Sequence, residues 1–158
     1  MSQPVSRRAF VHSLAGGVAG ASQVAAQPRG RVAGFDHVAL PMQNVDAMIA
    51  FYRALGFPMV ETTNIVSMYA GDQMINFHRP SLWQNAGFTL RAPAAKPPCG
   101  DLCFVWDGSA ADLKALLDAN RMAIEVGPVD RQGGRRKGGS SVYIRDPDGN
   151  LLEFIIYP

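Results

Sequence analysis

The spacing of hydrophobic positions changes along the chain, and the changes predict a strand, a helix and three further strands in the first half. Residues 35–42 alternate weakly between apolar and polar side chains and are rich in strand formers. Asn44 then offers a helix N-cap and Gly56 a C′ position, with apolar residues at helical spacing between them. Three short extended runs follow, over 58–63, 65–70 and 73–79. The first half is therefore predicted to be a βαβββ unit.

The second half repeats this order. A strand is predicted over 101–106, Ser109 is an N-cap, and an apolar stripe predicts a helix that ends near Asn120. Three more strands are predicted over 124–129, 140–145 and 150–157. Residues 81–99 between the halves are interrupted by prolines, show no period and predict a long surface connection. The predicted fold is α+β, with two tandem βαβββ modules of about 65 residues each.

The clearest local signal lies immediately before the last predicted strand, at Asp146-Pro147-Asp148-Gly149. Proline fixes φ for a tight turn, and glycine accepts the positive φ that the end of such a turn requires. The sequence therefore predicts a tight turn and a final hairpin at this point.

The first thirty residues are predicted to be an export signal followed by a linker. Arg7 and Arg8 precede a weakly apolar run over 11–25, and small residues at 24–26 suit a signal peptidase. We expect a twin-arginine-type signal peptide over 1–26, a linker over 27–33 and one domain over 34–158. The mature protein would then be periplasmic or secreted, with no membrane contact after cleavage. An amphipathic N-terminal helix is the alternative.

The charge balance argues against one class of partner, and the cysteine spacing argues against one disulfide. The chain has 15 basic and 13 acidic residues, so removal of Arg7 and Arg8 leaves no net charge and argues against nucleic acid as a partner. Cys99 and Cys103 are four residues apart in an extended segment, roughly 13 Å, which is too far for a disulfide between them.

Two histidines and two carboxylates carry the candidate chemistry. His37 and His78 are the only histidines after the predicted cleavage site, and both lie in apolar strand segments where an imidazole needs a polar partner. That partner is either a metal ion or an ordinary hydrogen bond in the core. Strand alternation places Asn76 and His78 on one face of their strand, able to point into one cavity.

Glu153 is the most informative residue, because it interrupts the apolar run Leu151-Leu152-Glu153-Phe154-Ile155-Ile156. A carboxylate in such a run is paired, protonated or metal-bound unless the strand is a solvent-facing edge. Asp101 opens the second module and shares a strand face with Cys103.

Three motifs in order carry a family resemblance: Asp36-His37-Val38-Ala39-Leu40, the helix 51–57 with sequence FYRALGF, and Asp146-Pro147-Asp148-Gly149 continued to Glu153. Together they resemble the vicinal-oxygen-chelate superfamily of glyoxalases, bleomycin-resistance proteins and extradiol dioxygenases. The match extends over about 35–157. Residues 73–78 and 101–104 are similar to a subgroup of glyoxalase-domain or virulence-associated proteins.

The resemblance implies that the paired modules form an open, cupped mixed sheet, with a divalent metal bound by residues on the first and last strands of the modules. His37 and Glu153 match two ligand positions. The usual third ligand is a histidine where this chain has Asp101. Either Asp101 ligates directly or His78 replaces the missing imidazole. We favour the metal set His37, His78 and Glu153, with Glu153 and Asp101 as catalytic groups.

Two imidazoles and a carboxylate suit Fe(II), and Mn, Zn or Ni would also be accepted. By resemblance, the metal would act as a Lewis acid on a small oxygen-rich substrate, in a lyase-like, isomerase-like or dioxygenase-like reaction. The alternative is a non-catalytic cup that sequesters a drug, as in bleomycin-resistance proteins, often as a homodimer. A basic segment over 131–139 either clamps an anionic substrate or is a plain solvated loop. An interaction domain of the envelope is a third interpretation, without a motif in its favour.

Overall fold

The fold is known from a computed structural model that describes residues 30–158. The predicted signal peptide over 1–26 lies outside the described residues and stays a prediction. Among the described helices, none has the length and apolar character needed to cross a membrane.

The first module has the predicted βαβββ order and is followed by a short extra helix. Its elements are β1 (His37–Pro41), α1 (Val45–Ala54), β2 (Met59–Glu61), β3 (Ile65–Ala70), β4 (Gln73–His78) and α2 (Pro80–Trp83). The strand order is β1-β4-β3-β2, with β1 parallel to β4 and the other pairs antiparallel. Gly56 adopts φ +89° just after α1, as the predicted C′ position requires.

The second module repeats this topology. Its elements are β5 (Asp101–Val105), α3 (Ala110–Ala119), β6 (Val126–Gln132), β7 (Gly138–Arg145) and β8 (Leu151–Ile156). The strand order is β5-β8-β7-β6, with β5 parallel to β8. The α+β class with two tandem βαβββ modules is thus confirmed, as two four-stranded mixed sheets.

The basic segment over 131–139 is partly β-strand, whereas the sequence predicted a loop. Arg131 pairs with Gly139 and Gln132 with Gly138, so β6 and β7 extend into the segment and leave only 133–137 as the hairpin loop. The glycines at 138 and 139 do not end the strand, because antiparallel pairing satisfies their backbone groups.

Each sheet buries one face and leaves the other open. In the first sheet Leu40, Val66, Met68 and Phe77 pack in the core with the apolar face of α1. In the second sheet the buried residues belong to the same core cluster as Leu113 and Leu117 of α3; they are Val142, Ile144, Leu152 and Phe154. Strand alternation puts His37, Asn76 and His78 on the open face of the first sheet. It puts Asp101, Cys103, Glu153 and Tyr143 on the open face of the second sheet.

The turn 146–150 ties the two modules together. The Tyr52 hydroxyl in α1 donates to Asp146 Oδ2 at 3.0 Å, and both atoms are buried. The Asp148 carboxylate accepts the backbone N–H of Gln43 at 2.7 Å and that of Asn44 at 2.8 Å. Gly149 has φ +87°, which confirms the predicted tight turn. The most recognisable motif of the sequence therefore holds helix α1 of the first module against the second.

Asn44 occupies the N-cap position of α1 as predicted, but its side chain does not cap the helix. Its Nδ2 donates instead to the Pro147 carbonyl and to Asp148 Oδ1. Ser109 of the second module does cap its helix: it accepts the N–H of Asp112, whose carboxylate accepts the N–H of Ser109 in return.

Residues 80–95, here called the strap, are mostly exposed, as predicted for a surface connection, but side chains within them contact the first module. Trp83 Nε1 donates to the Met42 carbonyl at 2.9 Å. The Phe88 ring lies 5.3 Å from the His78 ring in an edge-to-face arrangement. The strap therefore covers the end of the open face at which His78 lies.

Candidate functional site

Glu153 lies in the middle of β8, between two strands that supply its neighbours. In register it faces Cys103 on β5 and Tyr143 on β7. Its Oε1 accepts the Ser141 hydroxyl at 2.5 Å. The side chain is half-buried, and no cationic side chain among residues 30–158 forms an ion pair with it. A half-buried carboxylate with neutral partners leaves its charge uncompensated, which favours a cation at this position.

Cys103 is affected by that charge. Partial desolvation of the thiol, followed by the Glu153 carboxylate, raises the pKa of Cys103 to about 12, and Asp101 adds to the effect. The sulfur is therefore protonated at neutral pH and is a poor metal ligand as it stands. Asp101 lies two residues away on the same strand face and is exposed. The second sheet thus presents two carboxylates on one open face.

The Arg131 guanidinium also lies on this face. Arg131 Nε donates to the Tyr143 hydroxyl at 2.9 Å, and the guanidinium carbon lies 5.5 Å from the centre of the Tyr143 ring. Arg131, Tyr143 and Ser141 were not expected beside Glu153 from the sequence. Strand alternation over 140–145 was the available signal, since it puts Ser141 and Tyr143 on one face.

His37 opens β1 on the open face of the first sheet, and its side chain is 48% exposed. Its Nδ1 lies 2.5 Å from Asp36 Oδ1, so the carboxylate orients the ring and leaves Nε2 for another partner. A carboxylate behind an imidazole is the arrangement that metal-binding histidines commonly have.

A cavity of about 310 Å³ lies where the first strands of the two modules approach each other. Val38 and Met74, the neighbours of His37 in sequence and in register, line one wall. Asp101 and Cys103 line another wall. The cavity is therefore bordered by residues next to His37 and by the carboxylate that stands in the third ligand position.

His78 does not join His37. In the parallel pairing of β1 and β4, His37 is opposite Met74 and His78 is opposite Pro41. Along the strand direction the two positions are four residues apart, which corresponds to roughly 13 Å between their Cα atoms. One metal ion with bonds of about 2.1 Å to nitrogen does not reach two imidazoles at that distance. The structure therefore does not support the expectation that His37 and His78 bind one ion. Burial lowers the pKa of His78.

The donor types suit a divalent metal, but the described part of one chain does not assemble them. Among residues 30–158 no group of three His, Cys, Asp or Glu side chains is placed to hold a metal ion. His37 lies on the first sheet, whereas Asp101 and Glu153 lie on the second. The residues as placed do not fit a complete metal centre within a single chain.

Comparison with known proteins identifies a family model and relatives that match most of this chain. The family model described as Glyoxalase/Bleomycin resistance protein/Dioxygenase superfamily matches residues 34–154. Virulence protein STM3117 of Salmonella typhimurium is 35% identical over 124 residues, which are 77% of this chain and 83% of the relative. Its crystal structure superimposes with a TM-score of 0.72 at 32% identity, covering 82% of this chain and 100% of that one.

Two further relatives bear names that refer to glyoxalase chemistry. Glyoxalase domain-containing protein RDO1 of Mycosarcoma maydis is 33% identical over 127 residues, which are 80% of this chain and 69% of the relative. The crystal structure of lactoylglutathione lyase from Agrobacterium tumefaciens matches with a TM-score of 0.62 at 27% identity, covering 80% of this chain and 95% of that one.

Proposed function

Because the chain belongs to the Glyoxalase/Bleomycin resistance protein/Dioxygenase superfamily, we propose that it is a metal-dependent enzyme acting on a small oxygen-rich molecule at the open face of the second sheet. The observation that carries the proposal is Glu153, a half-buried carboxylate without a cationic partner among the described residues, on the same face as Asp101. A divalent cation compensates both charges.

In this proposal Glu153 and Asp101 hold the metal from the second sheet, and His37 is the donor on the first. Fe(II), Mn, Zn or Ni suits this set, and the bound ion would polarise two adjacent oxygens of the substrate. The Ser141 hydroxyl orients the Glu153 carboxylate. Arg131, positioned by Tyr143, offers a cation to an anionic substrate. The reaction is a lyase or isomerase reaction or a ring cleavage, and the named lactoylglutathione lyase supports the lyase class.

A homodimer would complete the donor set. Since His37 and Glu153 lie on the open faces of different sheets, a second copy that placed its first sheet against the second sheet of this one would bring them together. Each dimer would then contain two equivalent sites.

Metal binding tests the proposal directly. Equilibrium dialysis of the purified chain against Fe(II), Mn, Zn and Ni, followed by elemental analysis, should show about one ion per chain. Glu153→Gln and His37→Ala should each weaken binding at least about tenfold. Asp118→Asn is the matched control, because that exposed carboxylate pairs with Lys114 on helix α3, away from the site, and it should leave binding unchanged.

Mixing variants tests the dimer. A mixed dimer of His37→Ala and Glu153→Gln chains has one intact donor set if each site uses two chains, so mixing should restore up to about half of the binding within mixed dimers. No restoration, with metal binding by the wild type, would place the site within one chain.

The second candidate is a cup that sequesters a small molecule without catalysis. The observation in its favour is that the described part of one chain brings no three metal donors together. A wild-type protein that takes up no stoichiometric metal in the dialysis, yet binds a hydrophobic drug equally well after His37→Ala, would establish this function and refute the first.

We also propose export by the twin-arginine route, on the basis of Arg7, Arg8 and the small residues at 24–26. The exported protein should begin at Gln27, and replacing both arginines by lysine should retain it in the cytoplasm. N-terminal sequencing of the periplasmic fraction decides between this prediction and a retained N-terminal helix.

A further inference from the structure

His78 has no role in the proposed metal site and lies under the strap instead. The residue is 8% exposed, and its imidazole makes no side-chain hydrogen bond to any residue in the described range 30–158. The Phe88 ring packs against it from the strap. A neutral imidazole has one N–H donor and one acceptor nitrogen, and no described side chain engages either of them.

Arg91 faces the same end of the first sheet from the strap. Its Nη1 donates to the carbonyls of Ala92 at 3.3 Å and Pro93 at 3.0 Å. Its Nε is buried and has no acceptor among the described residues. No carboxylate among residues 30–158 forms an ion pair with this guanidinium. Arg91 therefore keeps both an unused N–H group and an unbalanced positive charge beneath the strap.

A small cavity of about 70 Å³ is lined by both side chains. The rest of its wall is apolar or already hydrogen-bonded: Ala39, Pro41, Ala92, Ala95 and Trp83, whose Nε1 donates to the Met42 carbonyl. Among the lining side chains, His78 and Arg91 are thus the polar groups left free for a ligand.

We propose that this cavity is a binding site for a small monovalent anion, held by Arg91 Nε–H and an N–H of His78. The volume admits one or two water-sized groups, which corresponds to chloride, nitrite or formate. A single guanidinium balances one negative charge. A water molecule would satisfy the hydrogen bonds but leave the charge of Arg91 uncompensated.

The bound anion would hold the strap against the first sheet. Arg91 belongs to the strap and His78 to β4, so one ligand bridges the two elements. The site is separate from the proposed metal centre, since the register position of His78 is four residues along β1 from His37. Its existence does not depend on the proposed function.

Thermal unfolding at constant ionic strength tests the site. Sodium chloride, nitrite and formate, each titrated against sodium gluconate, should raise the Tm of the wild type along a saturable curve for at least one of the three. Arg91→Gln should weaken the apparent affinity at least about tenfold. Arg136→Gln, on the exposed hairpin loop, should change it less than about twofold, because it alters only the general charge of the protein. An equal saturable shift in Arg91→Gln would overturn the proposal.

Crystallography of the wild type tests the site without relying on the folding of a variant. Wild-type crystals soaked in sodium bromide should show an anomalous peak within hydrogen-bond distance of Arg91 Nε and His78. The same position is expected to hold chloride in unsoaked crystals. A water molecule alone, or an empty cavity at high bromide concentration together with no Tm shift from nitrite or formate, would refute an anion site.

Discussion

At the scale of single residues, the properties of Glu153 depend on what stands opposite it in the sheet. Ser141 gives its carboxylate one hydrogen bond, while Cys103 and Tyr143 occupy the neighbouring register positions. None of these neighbours neutralises the charge. Its effect is visible in the thiol beside it, whose pKa rises to about 12 through desolvation first and the carboxylate second.

Alkylation of Cys103 checks this interaction. In the metal-free protein at pH 8, iodoacetamide should modify Cys103 much more slowly than an unstructured cysteine peptide, because only the thiolate reacts. Glu153→Gln removes the negative charge, so the pKa of Cys103 should fall and alkylation should become faster. Mass spectrometry follows each cysteine separately. Cys99 is the internal control, because its pKa is raised by burial and then by Asp146 and Asp148, and not by Glu153. A Cys103 that titrates near its ordinary value in the wild type would contradict the described environment.

At the scale of elements, helix α1 is fixed at its start by a residue more than a hundred positions away. Asp148 accepts the N–H groups of Gln43 and Asn44, and the Asn44 side chain donates back to the same turn. An acidic group at a helix N-terminus also interacts favourably with the helix dipole. The first strand and helix therefore take their position partly from the last turn of the chain.

Asp148→Ala should consequently lower the free energy of unfolding by about 1–2 kcal/mol, because two backbone donors lose their acceptor. Asp107→Ala, at an exposed position in the 106–109 connection, is the control and should stay within about 0.5 kcal/mol of the wild type. Urea denaturation followed by circular dichroism measures both. Equal stabilities of the two variants would show that the turn does not anchor the helix.

At the scale of the whole molecule, the two modules share one hydrophobic core. The ring centres of Phe57 and Phe104 lie 4.9 Å apart, and Tyr52 of the first module is hydrogen-bonded to Asp146 of the second. The buried core residues form one contiguous cluster that draws on both sheets and on helices α1 and α3. Such shared burial couples the unfolding of one module to that of the other.

Each half of the domain contains one tryptophan, which makes this coupling measurable. Trp83 reports on the first half in Trp106→Phe, and Trp106 reports on the second half in Trp83→Phe. Within each variant, the urea midpoint from fluorescence should coincide with the midpoint from far-ultraviolet circular dichroism. Separate midpoints in either variant would mean that the modules unfold independently.

Local rules were enough to predict most of the fold. Apolar spacing predicted helices α1 and α3, the Ser109 cap and the turn at Gly149 all appear in the structure, and the duplicated order gave the two modules. The strand bounds predicted for β6 and β7 are less accurate, because glycine and charge usually mark a loop, whereas backbone pairing continues through them here. The helices, the cap and the turn depend on interactions between residues close in sequence, which a sequence pattern records directly.

The sequence by itself determined which residues are candidates for the chemistry and which strand faces they occupy, because the alternation of side chains along a strand is a local property. Only the tertiary structure decided how those faces are brought together. The parallel register of β1 and β4 separates His37 from His78, and the strap places Arg91 beside His78. Register and strap position result from the burial of a core shared by distant segments, so no local pattern contains them.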